Sequence, residues 1–151
     1  MAPREVDLPD PMMPIPDSAK RLLGSDALAH LTTLNEDGSA HVTVAWAGVD
    51  GEEIVFGTLF DQRKLKNVRR DPRVVVTIEG TEVHPPGLRE YIVIEGRGRV
   101  TEGGAPELLQ DLARIYLGPD VTFPPMPDPP PGFITRVAIE RVKGVGPWVV
   151  R

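Results

Sequence analysis

The sequence predicts a mainly β domain, a closed barrel or sandwich of six antiparallel strands with two or three short helices. Three observations carry this expectation. Strand-type segments recur at 27–34, 40–47, 53–58, 73–79, 89–100 and 133–142. Short turns separate several of them, above all Asn35-Glu36-Asp37-Gly38, whose Asp-Gly pair is a hairpin signal. Helical patterning is confined to brief stretches between the strands.

In chain order, Asp17 to Gly24 reads as a short helix ending at glycine. Ala27 to Leu34 and Ala40 to Ala47 form a hairpin. Val49-Asp50-Gly51 turns the chain into the strand Glu53 to Thr58. A basic helix follows, then the strand Arg73 to Glu79 and a loop from Gly80 to Gly87. Arg89 to Val100 is a long strand that Glu95-Gly96-Arg97-Gly98 can bend or bulge. From Pro106 to Leu117, Leu108, Leu109, Leu112, Ile115 and Tyr116 recur at helical spacing. Phe133 to Val142 is the last main strand, and Trp148-Val149-Val150 a short tail strand.

Proline marks the irregular parts. Five of seventeen prolines fall in residues 1–16, an extended arm that lies across a partner subunit or forms a solvated tail. Seven fall between Pro119 and Pro131, a semi-rigid surface loop. Residues 17–151 then form one domain, large enough for a real core.

Composition excludes several classes. No apolar run approaches the roughly 20 residues that span a bilayer. The N-terminus shows no basic start followed by an apolar stretch, so a cytoplasmic protein without a membrane partner is expected. There is no cysteine, which removes disulfides, thiolate metal sites and a cysteine nucleophile. A net charge of −5 argues against general nucleic-acid binding. His30, His41 and His84 have no metal-type spacing, so no metal site is expected. No Gly-x-Ser-x-Gly, P-loop or Gly-x-Gly-x-x-Gly occurs. Glu52-Glu53 stands at a strand entrance, a solvated end rather than an acid-base pair. With no catalytic side chain evident, an enzyme of this sequence needs a cofactor to carry the chemistry, as in hydride transfer to a small-molecule substrate.

One segment offers an anchor for such a cofactor. Residues 62–73 hold six of the seventeen basic residues and one acid, a local charge of +5. Because a basic helix opening off a strand can hold a phosphate with amides and cations together, Lys64 near the helix start is the prime candidate. Gln62 and Arg63 stand beside it. Thr58 can donate its hydroxyl, and Gly57 lets a ligand approach the backbone. The alternative is a solvated helix face. Asn67 reads either as a phosphate contact or as helix surface. His41 reads as a pocket-edge group or a cross-strand surface residue, and Trp46 as core packing. Trp148, on a glycine-rich tail, is a candidate cap for the pocket or a subunit interface.

The stretches 31–46, Ile54-Val55-Phe56-Gly57-Thr58, 63–73 and Glu95-Gly96-Arg97-Gly98-Arg99-Val100 together resemble the pyridoxamine-phosphate-oxidase-like, flavin-binding split-barrel family, and more closely its actinobacterial deazaflavin-dependent branch. The resemblance covers roughly residues 18–142. It implies a six-stranded antiparallel split β-barrel, a homodimer, and cofactor sites at the subunit interface. It assigns cofactor phosphate to Lys64, with Gln62 and Arg63 assisting. It lays the ring along the strand carrying Thr43 and Val44, where many relatives have a proline near Val44 or Ala45. The implied cofactor is coenzyme F420, whose anionic tail suits the surplus cations Lys66, Arg69 and Arg70. The alternatives are flavin mononucleotide (FMN) in an oxidase or reductase, and a carrier that binds a cofactor without catalysis. The ending Gly146 to Arg151 lacks the Arg-Leu element that a true pyridoxamine-phosphate oxidase would carry.

Overall fold

The period-two segments pair into one antiparallel sheet. The computed structural model describes residues 12–149. It holds α1 (Asp17–Leu23), β1 (Ala29–Leu34), β2 (Ala40–Ala45), β3 (Gly48–Asp50), β4 (Glu53–Thr58), α2 (Arg63–Arg70), β5 (Arg73–His84), β6 (Leu88–Glu102), α3 (Ala105–Tyr116) and β7 (Phe133–Val145). The strands lie in the order β2-β1-β5-β6-β7-β4-β3, so β2 and β3 are the edges.

Alternation sets what each strand buries. Ala29, Leu31 and Thr33 of β1 face inward, as do Val74, Val76 and Ile78 of β5. Ile92, Ile94, Val137, Ile139, Ile54 and Phe56 continue the same core across β6, β7 and β4. Leu22 and Leu23 of α1 plug it from one side. Each buried Leu, Ile or Phe contributes about 1.5–3 kcal/mol of transfer free energy. The bulge expected near Gly96 is present, with the β6–β7 register shifting between Glu95 and Gly96. Only glycine fits there, because a Cβ on Gly96 would stand 2.4 Å from the Ala138 carbonyl oxygen.

The structure corrects four expectations. There are seven strands rather than six, because Gly48–Asp50 pairs with β4 instead of only turning. The loop assigned to 80–87 is mostly strand, and only Pro85 to Gly87 turn. Its glycine and acidic residues look unlike a strand. However, Gly80 packs under the buried Glu90 carboxylate, leaving no room for a Cβ, and Arg21 neutralises that carboxylate. Trp148 and Val149 form no strand, and Val150 lies outside the described residues. Finally, the described end of the proline-rich arm lies on its own barrel. Met13 donates its N–H to Ile139, Ile15 is buried, and the Ile15 N–H bonds Glu52 at 2.6 Å. The rest of the arm, residues 1–11, lies outside the described residues.

Candidate functional site

α2 follows Gln62, which is extended (φ −109°, ψ 167°), after a bend at Leu59 and Phe60 beyond the end of β4. Two turns of helix place Lys64, Leu65, Asn67 and Val68 against the barrel and leave Arg63, Lys66, Arg69 and Arg70 outside. Leu65 and Val68 are core residues. Lys64 is the anomaly, because its side chain is only 8% exposed and no acid or acceptor pairs with it among the described residues. Burial pushes its pKa below the usual lysine value.

Lys64 opens onto a cleft of about 370 Å³. Thr58, at the end of β4, shares it. That hydroxyl is buried and has no hydrogen-bond partner. A largely buried lysine without a partner among the described residues and a buried unpartnered hydroxyl suit an anionic ligand that accepts from both. Gln62 stands at the same end. The remaining walls are apolar: Val44, Ala45, Trp46 and Phe123, with Leu109 of α3. Leu28 and Phe60 border the mouth, more than half exposed.

The aromatic wall is held firmly. Trp46 stacks on Tyr116 with centroids 5.4 Å apart and planes 12° from parallel. Phe123 leans on Trp46 at 5.1 Å. The Tyr116 hydroxyl donates to the Ala27 carbonyl and accepts from the Ala47 N–H. Gln110 grips the loop that carries Phe123, donating to Val121 at 2.8 Å and accepting from the Phe123 N–H at 2.9 Å.

Of the residues proposed from sequence, the cleft brings together Lys64, Gln62, Thr58, Gly57 and Val44. Arg63 is exposed on the outer face of α2 and does not line it. Thr43 sits opposite Leu31 with its hydroxyl buried and unpartnered, and His41 sits opposite Thr33. Both share the inward face of β2 with Ala45, but of the three only Ala45 lines the cleft. Asn67 is neither helix surface nor a free phosphate donor, since both its amide protons are spent on Thr33 and Asn35. Trp148 does not cap this cleft. It is buried and donates to the Tyr91 carbonyl, eleven residues along β6 from the end that adjoins Thr58 through β7. Gly57 is needed for packing, because its missing Cβ makes room for Leu109 at 3.0 Å. Trp46, read as core, is part of the wall. Leu109 and Phe123 were not signalled, because helix packing and a proline loop bring them in from the far half of the chain.

Two other features compete for attention. An outer-face depression of about 300 Å³ between Thr32, Val75 and Gly96 has Arg73, Arg97 and Glu140 on its rim, each already ion-paired. Glu82, His84 and Glu90 converge near α1, where the Arg21 guanidinium lies 2.8 Å from Glu90 and 3.7 Å from Glu82. Arg21 is therefore the cation of that cluster.

The fold and the cleft define a split-barrel protein whose pocket presents Lys64 and Thr58 among apolar walls. A family model described as pyridoxamine 5'-phosphate oxidase matches residues 15–146. The chain belongs to that family. An F420 reductase aligns with a TM-score of 0.66 at 22% identity, over 85% of this chain and 98% of the other. A conserved hypothetical protein from Mycobacterium tuberculosis aligns at 0.64 and 24% identity, over 83% of this chain and 81% of that one. An FMN-binding protein from Syntrophomonas wolfei subsp. wolfei aligns at 0.61 and 12%, over 89% and 86%. At these identities the likeness is one of fold. No curated protein matches the chain. Among the described residues no helix is long and apolar enough to cross a membrane.

Proposed function

We propose that this chain is an F420-dependent oxidoreductase that binds the deazaflavin in the Lys64 cleft and acts on a small organic substrate. The observation that carries the reading is the meeting, in one apolar cleft, of the buried unpartnered Thr58 hydroxyl and the largely buried Lys64, which has no ion-pair or hydrogen-bond partner among the described residues. Both are donors, and together they suit phosphate oxygens. The apolar walls of Val44, Trp46 and Phe123 suit a planar ring and exclude water from it. When bound, the cofactor supplies the hydride. The chain's own part is to hold the phosphate and orient the ring. Among the described residues, Lys64 is the one titratable side chain that lines the cleft.

A homodimer belongs to the same proposal. Leu28, Val44 and Phe60 border the cleft mouth, and Val42 extends their exposed apolar patch along the edge strand β2. Such a patch calls for cover.

One observation favours FMN instead. The surplus cations are mostly committed: Arg69 pairs with Asp61 and lies over Phe133, Arg70 reaches the Leu34 carbonyl, and Arg73 pairs with Asp71. Arg63 and Lys66 remain on the outer face without ion pairs among the described residues. One buried cation matches one phosphate, and two exposed cations are a modest seat for a polyanionic tail.

Titration of the purified protein with F420 and with FMN, followed by turnover with the reduced cofactor and an electron acceptor, tests the reading. F420 binding with turnover supports it, and FMN binding alone promotes the alternative. Binding without turnover indicates a carrier, and failure of both cofactors to bind contradicts the reading.

A further inference from the structure

We propose that Asn67 is a positioning residue: its side chain clamps α2 to the β1–β2 hairpin and thereby sets where Lys64 points in the cleft. The inference rests on the reading of Lys64 as the phosphate anchor.

α2 has eight residues, about two turns, too short to hold its own geometry without packing. Its depth is set by Leu65 and Val68, which are 0% and 2% exposed. Apolar contact is non-directional, so it leaves the helix free to roll. Hydrogen bonds are directional and remove that freedom. Asn67 supplies them. Its Nδ2 donates to Thr33 Oγ1 at 3.1 Å and to Asn35 Oδ1 at 3.0 Å. Its Oδ1 faces Arg70 at 3.4–3.5 Å, and Arg70 also donates to the Leu34 carbonyl. Asn67 is 3% exposed and Thr33 is fully buried, so the bond between them is shielded from water, while the bond to Asn35 is part-buried.

The consequence reaches both sides of the site. Lys64 and Asn67 are three residues apart, on one face of the helix. Thr33, Leu34 and Asn35 end β1, whose other neighbour is the edge strand β2 that carries Val44. β2 pairs with no strand besides β1. The Asn67 clamp therefore locks the phosphate end and the ring wall into one unit. The Cα atoms lie about 2.3 Å from the helix axis and the tip of an extended lysine stands several ångströms further out, so even a small roll moves that tip by about an ångström or more, enough to weaken an oriented contact.

The test compares FMN with riboflavin, which has the same ring and no phosphate, by fluorescence titration of the full chain. For F420, its phosphate-free ring–ribityl fragment plays riboflavin's part. Asn67→Ala is expected to weaken FMN binding about tenfold while riboflavin binding changes less than about twofold. Thr33→Val, which removes one acceptor at nearly constant volume and lies outside the cleft, should move FMN in the same direction. In a Lys64→Ala background, Asn67→Ala should cost FMN nothing further, because the group it positions is gone. Equal losses for both ligands, or a loss that adds fully to that of Lys64→Ala, would overturn the proposal. Equal affinity of the unmodified protein for FMN and riboflavin defeats the phosphate anchor itself, and the positioning role falls with it.

Discussion

Gly57 lies directly under Leu109: a methyl group added to the glycine would stand 3.0 Å from Leu109 Cγ and 3.2 Å from Cδ2. This contact seats α3 on β4 and fixes the rear wall of the cleft. Gly57→Ala should therefore push α3 outward and cost about 1–3 kcal/mol. For a chain of this size that lowers Tm by roughly 2–4 °C per kcal/mol. Differential scanning calorimetry checks it, and an unchanged Tm would show that α3 is not seated as described.

Lys64 links function to a cost in stability. In the ligand-free fold, burial lowers its pKa below the unfolded value. The unfolded chain then binds more protons between those two values, so this group's penalty is full at lower pH and is relieved as pH rises through that window. Lys64→Met removes the penalty, and the ligand-free variant should be more stable than the parent by about 1 kcal/mol. A bound anion restores the charged form. Binding should therefore take up a proton in the same window, and affinity should fall as pH rises. Isothermal titration calorimetry in buffers of different ionisation enthalpy measures the uptake directly. Buffer-independent heats would mean that Lys64 is already fully charged before the ligand arrives.

A second titratable site concerns stability alone. Burial pushes the Glu90 carboxyl up, but hydrogen bonds from Arg21 and His84 and the Arg21 charge outweigh it and hold the group below its ordinary range. A depressed carboxylate stabilises the fold above its unfolded pKa, and that contribution is lost as pH falls through the folded value. Arg21→Ala should cost about 1–2 kcal/mol near neutral pH, a figure reduced because Arg21 is about half exposed. The Tm gap between Arg21→Ala and the parent should narrow as pH falls through the depressed Glu90 titration. A gap constant with pH would place the effect in packing instead.

Gln110 is the sole side chain that hydrogen-bonds the backbone of the 118–132 loop among the described residues. Gln110→Ala removes both bonds and frees Phe123 from the Trp46 wall. Hydrogen exchange at Val121 to Phe123 should quicken about tenfold or more, with the β5–β7 strands unchanged. Unaltered exchange would show that Gln110 does not hold the loop.

These relationships divide by range. What depends on local pattern was legible in the sequence: the Asp37-Gly38 hairpin, the Gly96 bulge, the amphipathic helix after Pro106, and a basic helix following Thr58 with Lys64 near its start. What depends on distant partners was not. The strand character of Gly80 to His84 requires Arg21, 69 positions from Glu90, to neutralise a buried acid. Asn67 reads as surface until Thr33 and Asn35 fold beneath it. Trp46 reads as core because nothing near it in sequence reveals that Phe123 and Tyr116 will join it in a wall. Charge along a helix likewise gives no face. Only the folded register separates buried Lys64 from exposed Arg63 and Lys66.

The central claim is that Lys64 anchors a phosphate-bearing cofactor, and its most direct test is the dissociation constant of that cofactor for the parent and Lys64→Ala proteins. Loss of a charge-assisted contact predicts an affinity about 10- to 100-fold weaker, with the variant still folded. Undiminished affinity in Lys64→Ala would contradict the account.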